Sequence, residues 1–132
     1  MSEFRDRLIL CVDDESSGLL MRRLLLESQG YRVLTAENGA EGIAILSAEA
    51  VDLVLLDYLM PGADGGAVAD AMKKIKPSVP ILMLSAYVDL PSESVTHVDR
   101  YVIKGQSPPA LLSAVAELLR DGSTDTSQGP AA

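Results

Sequence analysis

Four apolar segments of this chain end in polar residues whose chemistries are complementary. Asp13 and Asp14 follow the first segment, and Asp57 follows the third. Ser85 and Lys104 close the fourth and the fifth. Carboxylates can bind a divalent metal ion or accept a phosphoryl group, and a hydroxyl and an ammonium group can bind the oxygens of that group. The set therefore suits phosphoryl transfer, provided that the fold brings these positions together.

The apolar segments alternate with segments of helical periodicity. Leu8 to Val12 is an unbroken apolar run, and further strands are predicted at 31–35, 51–56, 81–84 and 101–103. Five strands alternating with helices predict an α/β fold, in which helices cover both faces of a parallel sheet. The second and fifth strands are the least apolar and are placed at the edges. This placement favours the doubly wound, flavodoxin-like strand order 2-1-3-4-5.

Apolar stripes and capping residues predict the helices. Gly30 suits the end of the first helix, and Asn38 with Glu41 is a capping box for the second. Pro91 and the lack of an apolar stripe before the fifth strand predict a short or irregular fourth helix. Arg22 is expected to point away from the core. The predicted buried stripes are Leu20, Met21, Leu24 and Leu25, then Val68, Ala71, Met72 and Ile75, and finally Leu111, Leu112, Val115, Leu118 and Leu119. Met21, Met72 and Met83 are expected to fill the core.

The predicted strand order brings the acidic residues together. In an open α/β sheet, ligands bind beyond the carboxyl ends of the strands where the strand order reverses, here between the first and third strands. Asp13 and Asp14 flank that point on one side and Asp57 on the other. Crowded carboxylates repel each other, and a hard cation such as Mg²⁺ relieves the repulsion. We expect Asp57, one acid of the Asp13/Asp14 pair and the backbone carbonyl of Leu59 to bind Mg²⁺ together with water, while the other acid of the pair orients a water ligand.

Composition limits the classes of function. The chain has 132 residues, which suits one domain at 1–120 followed by a polar tail at 121–132 that is predicted to be disordered. Its longest apolar stretches are far shorter than a membrane helix requires. The single cysteine, Cys11, lies in an apolar strand and is expected to be a buried thiol of a cytoplasmic protein. A net charge of −8 with dispersed basic residues argues against direct nucleic-acid binding. His97, the only histidine, is expected in a surface loop.

Four motifs resemble the CheY-like receiver domains of two-component response regulators. They are the acidic pair after the first strand, Asp-x-x-Met-Pro-x-x-Asp-Gly at 57–65, Leu-Ser-Ala at 84–86, and an aromatic residue, Tyr101, three positions before Lys104. The resemblance extends from about Leu8 to Leu119. It implies that Asp57 is phosphorylated by a histidine kinase or a histidine phosphotransfer protein, and that the chain is a switch rather than an enzyme.

The same resemblance implies how the switch signals. Ser85 moves toward the phosphoryl group, Tyr101 swings inward, and a downstream target protein binds the changed face of the fourth and fifth strands. Whether the chain is a monomer or a dimer stays open. One departure from the family pattern is Gly105, which follows Lys104 where the family usually has a proline.

Two other functions are compatible with these residues. A receiver-like module that is never phosphorylated would act only through its binding surface, and Gly105 is consistent with it. A small Mg²⁺-dependent phosphatase of the haloacid dehalogenase type would also form an aspartyl phosphate. Such enzymes have Asp-x-Asp after the first strand, whereas this chain has Asp13-Asp14-Glu15.

Overall fold

A five-stranded parallel sheet forms the centre of the computed structural model, which describes residues 6–60, 63–85, 98–104 and 107–128. The strands are β1 (Leu8–Val12), β2 (Arg32–Ala36), β3 (Leu53–Asp57), β4 (Ile81–Ser85) and β5 (Arg100–Ile103). Their order across the sheet is β2-β1-β3-β4-β5, and every neighbouring pair is parallel. The predicted α/β fold with strand order 2-1-3-4-5 is confirmed.

The position of each strand follows from how apolar it is. All residues of β1, β3 and β4 are buried, as expected for central strands with helices on both faces. The edge strands retain exposed residues: Arg32 in β2, and Arg100 and Tyr101 in β5. The most apolar strands of the sequence therefore lie in the centre of the sheet, and the least apolar strands lie at its edges.

Four helices cover the sheet within the described residues: α1 (Ser16–Glu27), α2 (Gly39–Ala48), α3 (Gly65–Ile75) and α4 (Pro108–Gln128). Alternate residues of each central strand face opposite sides. Ile9 and Cys11 of β1 pack with α1 and α4, whereas Leu10 and Val12 pack with α2 and α3. Burial raises the pKa of the Cys11 thiol to about 12, so it is an inert core residue, as predicted.

The predicted helix ends are correct at two positions. The side-chain oxygen of Asn38 accepts a hydrogen bond of 2.8 Å from the Glu41 N–H, and the Glu41 carboxylate accepts one of 2.7 Å from the Glu37 N–H. These bonds satisfy donors at the start of α2 that have no partner within the helix. Gly30, after α1, has φ 94°, which a residue without a side chain adopts at little cost.

The predicted buried stripe of α1 is largely wrong. Leu19 and Leu26, two turns apart, are the buried residues, whereas Leu20, Met21 and Leu24 are exposed and Met21 is 69% accessible. Apolar residues surround most of this helix, so its periodicity alone does not select one face. Met21 is therefore not core filler, although Leu25 packs against the core and Met72 and Met83 are buried.

The backbone of α4 continues to Gln128, so residues 121–128 are helical where the composition predicted a disordered tail. Once a helix is nucleated by packing, each further residue adds a hydrogen bond at little cost. The division into a domain at 1–120 and a tail stays a prediction. The expected irregular fourth helix, His97 and Gly105 lie outside the described residues. Among the helices that are described, none is both long and apolar enough to cross a membrane.

Candidate functional site

Three carboxylates meet at the carboxyl edge of the sheet. Val12 pairs with Leu56 across β1 and β3, which places Asp13 beside Asp57. One oxygen from each of Asp13, Asp14 and Asp57 lies within 4.8 Å of the others. Asp13 is 1% exposed and Asp57 is 3% exposed, whereas Asp14 faces solvent. Buried carboxylates with a solvent-facing third ligand form an oxygen donor set that can bind a hard divalent cation and leave room for water.

Both oxygens of the Asp13 carboxylate already have partners within the protein. Oδ1 accepts a hydrogen bond of 3.0 Å from the Glu15 N–H. Oδ2 forms an ion pair with the Arg22 guanidinium, and the Lys104 Nζ lies 3.6 Å from it. Burial alone would raise the pKa of Asp13, but the Glu15 N–H and the charges of Arg22 and Lys104 outweigh it and hold the pKa below its usual range. Asp13 is therefore held ionised.

Lys104 supplies the cation next to Asp57. Its Nζ lies 2.7 Å from the Asp57 Oδ1, and its backbone N–H donates a hydrogen bond of 2.6 Å to the Ser85 carbonyl. Burial would lower the pKa of Lys104, but the Asp57 and Asp13 carboxylates overcome that effect and raise it. The ammonium group is therefore charged at neutral pH and lies in direct contact with the carboxylate.

The surroundings of Asp57 raise the pKa of its carboxyl group above the usual range. Burial raises the pKa of Asp57, the Lys104 contact lowers it, and the Asp13 charge raises it again, with a net increase. The three carboxylates carry more negative charge than the positive charge supplied by Lys104 and Arg22, the two cations in contact with the cluster. A divalent cation would remove this excess of negative charge, so the donor chemistry fits such an ion.

Backbone hydrogen bonds hold Tyr58 and Gly65, which lie at the two ends of the loop after Asp57. The Tyr58 N–H donates to the Leu84 carbonyl at 2.8 Å, and the Gly65 N–H donates to the Tyr58 carbonyl at 3.0 Å. Leu59–Met60 pairs with Ala63–Asp64 in a short antiparallel ladder. The backbone of Leu59 therefore follows directly after the acidic cluster, and its carbonyl as a metal ligand stays a prediction.

Ser85 and Tyr101 lie on the neighbouring strands β4 and β5. Leu84 pairs with Asp57, so buried Ser85 extends one residue further along the same sheet edge. Tyr101 pairs with Met83 on the edge strand and is exposed. The sheet thus aligns Asp57, Ser85 and Lys104 on successive strands, and the roles of Ser85 and Tyr101 in a switch stay predictions.

Arg22 is the site residue that the sequence did not predict. It was expected to point away from the core, but its side chain is only 16% exposed and reaches Asp13 across the β1–α1 loop. The available signal was the pair Arg22–Arg23, which interrupts the apolar residues in the middle of α1. Its partner could not be identified, because nine positions separate it from Asp13 and helical spacing relates only residues three or four apart.

The strand order and the acidic cluster at the switch point define a doubly wound α/β protein with three carboxylates at its carboxyl edge that could hold a metal ion. A family model described as the response regulator receiver domain matches residues 9–116. The chain belongs to this family, whose members are signalling proteins of two-component systems.

Individual relatives agree with this assignment. The chain is 33% identical over 123 residues to the transcriptional regulatory protein GlrR of Escherichia coli K12, a match covering 91% of this chain and 28% of GlrR. A CheY-like receiver domain protein from Methanospirillum hungatei superimposes with a TM-score of 0.85 at 29% identity, covering 91% of this chain and 98% of that one. TrrA of Thermotoga maritima, solved with Mg²⁺ and BeF, gives a TM-score of 0.80 at 36% identity over 85% of this chain and 98% of that one.

The chain corresponds to only part of its curated relatives. It spans about a quarter to a half of the length of those it matches. The family membership therefore concerns the receiver domain, and activities of the longer proteins do not transfer with it.

Proposed function

We propose that this chain is a phosphorylation-dependent switch in which Asp57 accepts a phosphoryl group from a phosphohistidine. The observation that supports it best is the pairing of a buried Asp57 with the Lys104 ammonium at 2.7 Å, next to two further carboxylates within 4.8 Å. A nucleophile, a fixed cation and an oxygen donor set are the parts that phosphoryl transfer needs, since alignment and charge neutralisation provide most of the catalysis.

The proposed transfer is a displacement at phosphorus. An oxygen of the Asp57 carboxylate forms the new P–O bond, while the P–N bond to the donor imidazole breaks and its electron pair stays on the imidazole nitrogen. Asp13, Asp14, Asp57 and the Leu59 carbonyl would hold Mg²⁺, which neutralises the charge of the phosphoryl oxygens when bound. Lys104 stabilises the same oxygens from the other side, and Ser85 donates a hydrogen bond to one of them.

The expected output is a change at the edge of the sheet. A phosphoryl group adds negative charge and acceptor oxygens where Lys104 and Ser85 meet on β4 and β5. Movement of these residues toward it would leave space for Tyr101, whose side chain is exposed on β5. A target protein that distinguishes the two positions of Tyr101 would read the signal.

The proposed partners are a histidine kinase or histidine phosphotransfer protein as the donor and a protein target in the cytoplasm. GlrR is named a transcriptional regulator, but this chain matches only 28% of it. A net charge of −8 makes direct contact between this chain and nucleic acid unfavourable.

Intact-mass analysis tests the proposal directly. The protein is incubated with acetyl phosphate and Mg²⁺, and one added phosphoryl group per chain is expected. Asp57→Asn should remove the added mass, whereas Asp70→Asn, a surface acid paired with Lys74, should retain it. An unmodified parent protein would favour the binding module, and steady hydrolysis of a phosphate ester without labelling would favour the phosphatase.

A further inference from the structure

We propose that Arg22 is an internal counter-cation that competes with the divalent metal ion for Asp13 and so weakens metal binding to the unphosphorylated site. The inference deepens the proposed function and depends on the proposed metal site. It concerns a residue of α1 that lies outside the motifs of the resemblance.

The hydrogen bonding of Asp13 is the first support. Its Oδ1 is bonded to the Glu15 N–H at 3.0 Å, and its Oδ2 is bonded to Arg22. Asp13 is almost fully buried, so its oxygens have little access to other partners. A metal ion that takes Asp13 as a ligand must therefore share Oδ1 with the Glu15 N–H, or share Oδ2 with the guanidinium or displace it, and in each case it binds a carboxylate whose charge Arg22 already neutralises.

The charge of the site is the second support. With Arg22, the three carboxylates and Lys104 leave one excess negative charge, and without Arg22 they leave two. A divalent ion would then make the site positive by one charge with Arg22 and neutral without it. Since arginine stays protonated in proteins, this opposition does not depend on pH in the physiological range.

The space around the guanidinium is the third support. A cavity of about 430 Å³ lies between α1, α4 and the ends of β4 and β5, and both Arg22 and Lys104 line it. Gly18, one turn before Arg22, lacks the Cβ that would lie 3.3 Å from an Arg22 nitrogen. The absence of a side chain at Gly18 thus lets the guanidinium reach Asp13. The neighbouring cavity gives the guanidinium space to occupy when a metal ion displaces it from Asp13.

Isothermal titration of the unphosphorylated protein with Mg²⁺ tests the inference. Arg22→Met and Arg22→Gln should each bind Mg²⁺ about tenfold more tightly than the parent, because a nearby like charge is removed. Arg22→Lys retains the charge and should bind close to the parent affinity. Arg23→Met is the matched control, since Arg23 is the next residue of the same helix but pairs with the exposed Glu27.

Thermal unfolding gives an independent measurement. Without Mg²⁺, the two neutral Arg22 variants should have a lower Tm, and Mg²⁺ should raise their Tm more than it raises that of the parent. Equal dissociation constants for the parent and both neutral variants would overturn the role of Arg22 and leave the phosphoacceptor proposal standing. A parent and variants that all fail to bind Mg²⁺ would overturn the inference together with the proposed metal site.

Discussion

The Lys104 Nζ lies 2.7 Å from the Asp57 Oδ1 and closes an ion pair at the carboxyl edge of the sheet. The backbone hydrogen bond from Lys104 to the Ser85 carbonyl fixes the end of β5 against β4, so the ammonium group is positioned before any phosphoryl group is present. Preorganised charge of this kind lowers the cost of rearrangement in the transition state. It also stabilises the ionised Asp57 that the proposed attack requires.

Lys104→Met should slow the phosphorylation of Asp57 by acetyl phosphate at least about tenfold, since it removes a charge that stabilises the transition state. The rate is measured by intact mass at saturating Mg²⁺. Lys74→Met is the control, because Lys74 is a surface cation that pairs with Asp70. Equal rates for the Lys104 variant and the parent would show that the contact with Asp57 has no part in transfer.

Asp57→Asn should stabilise the metal-free protein at neutral pH by about 1 kcal/mol, because it removes a poorly solvated charge. Burial and the Asp13 charge raise the pKa of Asp57 in the folded state. The folded protein therefore binds this proton more tightly than the unfolded chain, and the stability gained from it is lost as the pH rises through the raised pKa. The gain from the asparagine should be largest at neutral pH and should vanish below the pKa of the unfolded chain.

Urea unfolding in EDTA, from neutral pH to below the pKa of the unfolded chain, measures how far the free energy of unfolding of Asp57→Asn exceeds that of the parent. Asp70→Asn is the control. Added Mg²⁺ should reduce the difference, because the metal ion stabilises the parent carboxylate. If the stability gain of Asp57→Asn over the parent grew as the pH fell, the pKa of Asp57 could not be raised in the folded protein.

The sheet was predictable because its signals are local. Fully apolar runs such as Leu8–Val12 can be buried on both faces only in the middle of a parallel sheet, and the polar residue that ends each run lies at the same edge. The location of Asp57, Ser85 and Lys104 at one edge of the sheet thus follows from the direction of the strands alone. The Asn38 cap was predictable for the same reason, since its partner Glu41 is three residues away.

The orientation of α1 depends on contacts that are distant in sequence. The helical spacing of Leu20 and Leu24 is as compatible with a buried face as that of other leucine pairs in α1, but Leu19 and Leu26 are the residues that packing against the sheet buries. That rotation directs Arg22 toward the acidic site, where it pairs with Asp13. Neither propensity nor periodicity contains this information, because both describe a helix without its neighbours.

Ser85→Ala should leave phosphorylation at one group per chain but largely abolish the response of Tyr101. Ser85 is buried at the end of β4, and the proposed hydrogen bond to the phosphoryl group is what couples Asp57 to the edge strand. Folding stability should change by only about 1 kcal/mol, as is usual for loss of one hydrogen bond. The response is the ¹⁹F shift of 3-fluorotyrosine at position 101 on adding beryllofluoride, a phosphoryl analogue, with Mg²⁺.

Tyr101→Phe assigns that resonance, and Ser47→Ala is the matched control, because the Ser47 hydroxyl donates a hydrogen bond to the Ile43 carbonyl on the exposed side of α2. A full ¹⁹F shift in Ser85→Ala would mean that Tyr101 senses the phosphoryl group by another route.

Gly65→Ala should destabilise the protein by about 2 kcal/mol and weaken Mg²⁺ binding. A Cβ at position 65 would lie 2.7 Å from the Tyr58 Cα and 2.8 Å from its carbonyl oxygen, and backbone atoms cannot move aside as a side chain can. The clash would displace the segment that follows Asp57, including the Leu59 carbonyl. Gly39→Ala is the matched control, because its Cβ would lie 2.8 Å from a methyl group of Val68, which is a side chain and not the backbone after Asp57. Urea unfolding and Mg²⁺ titration of both variants measure the two effects. Gly39→Ala should lose stability without any loss of Mg²⁺ affinity. An unchanged affinity in Gly65→Ala would argue against a metal ligand from the loop after Asp57.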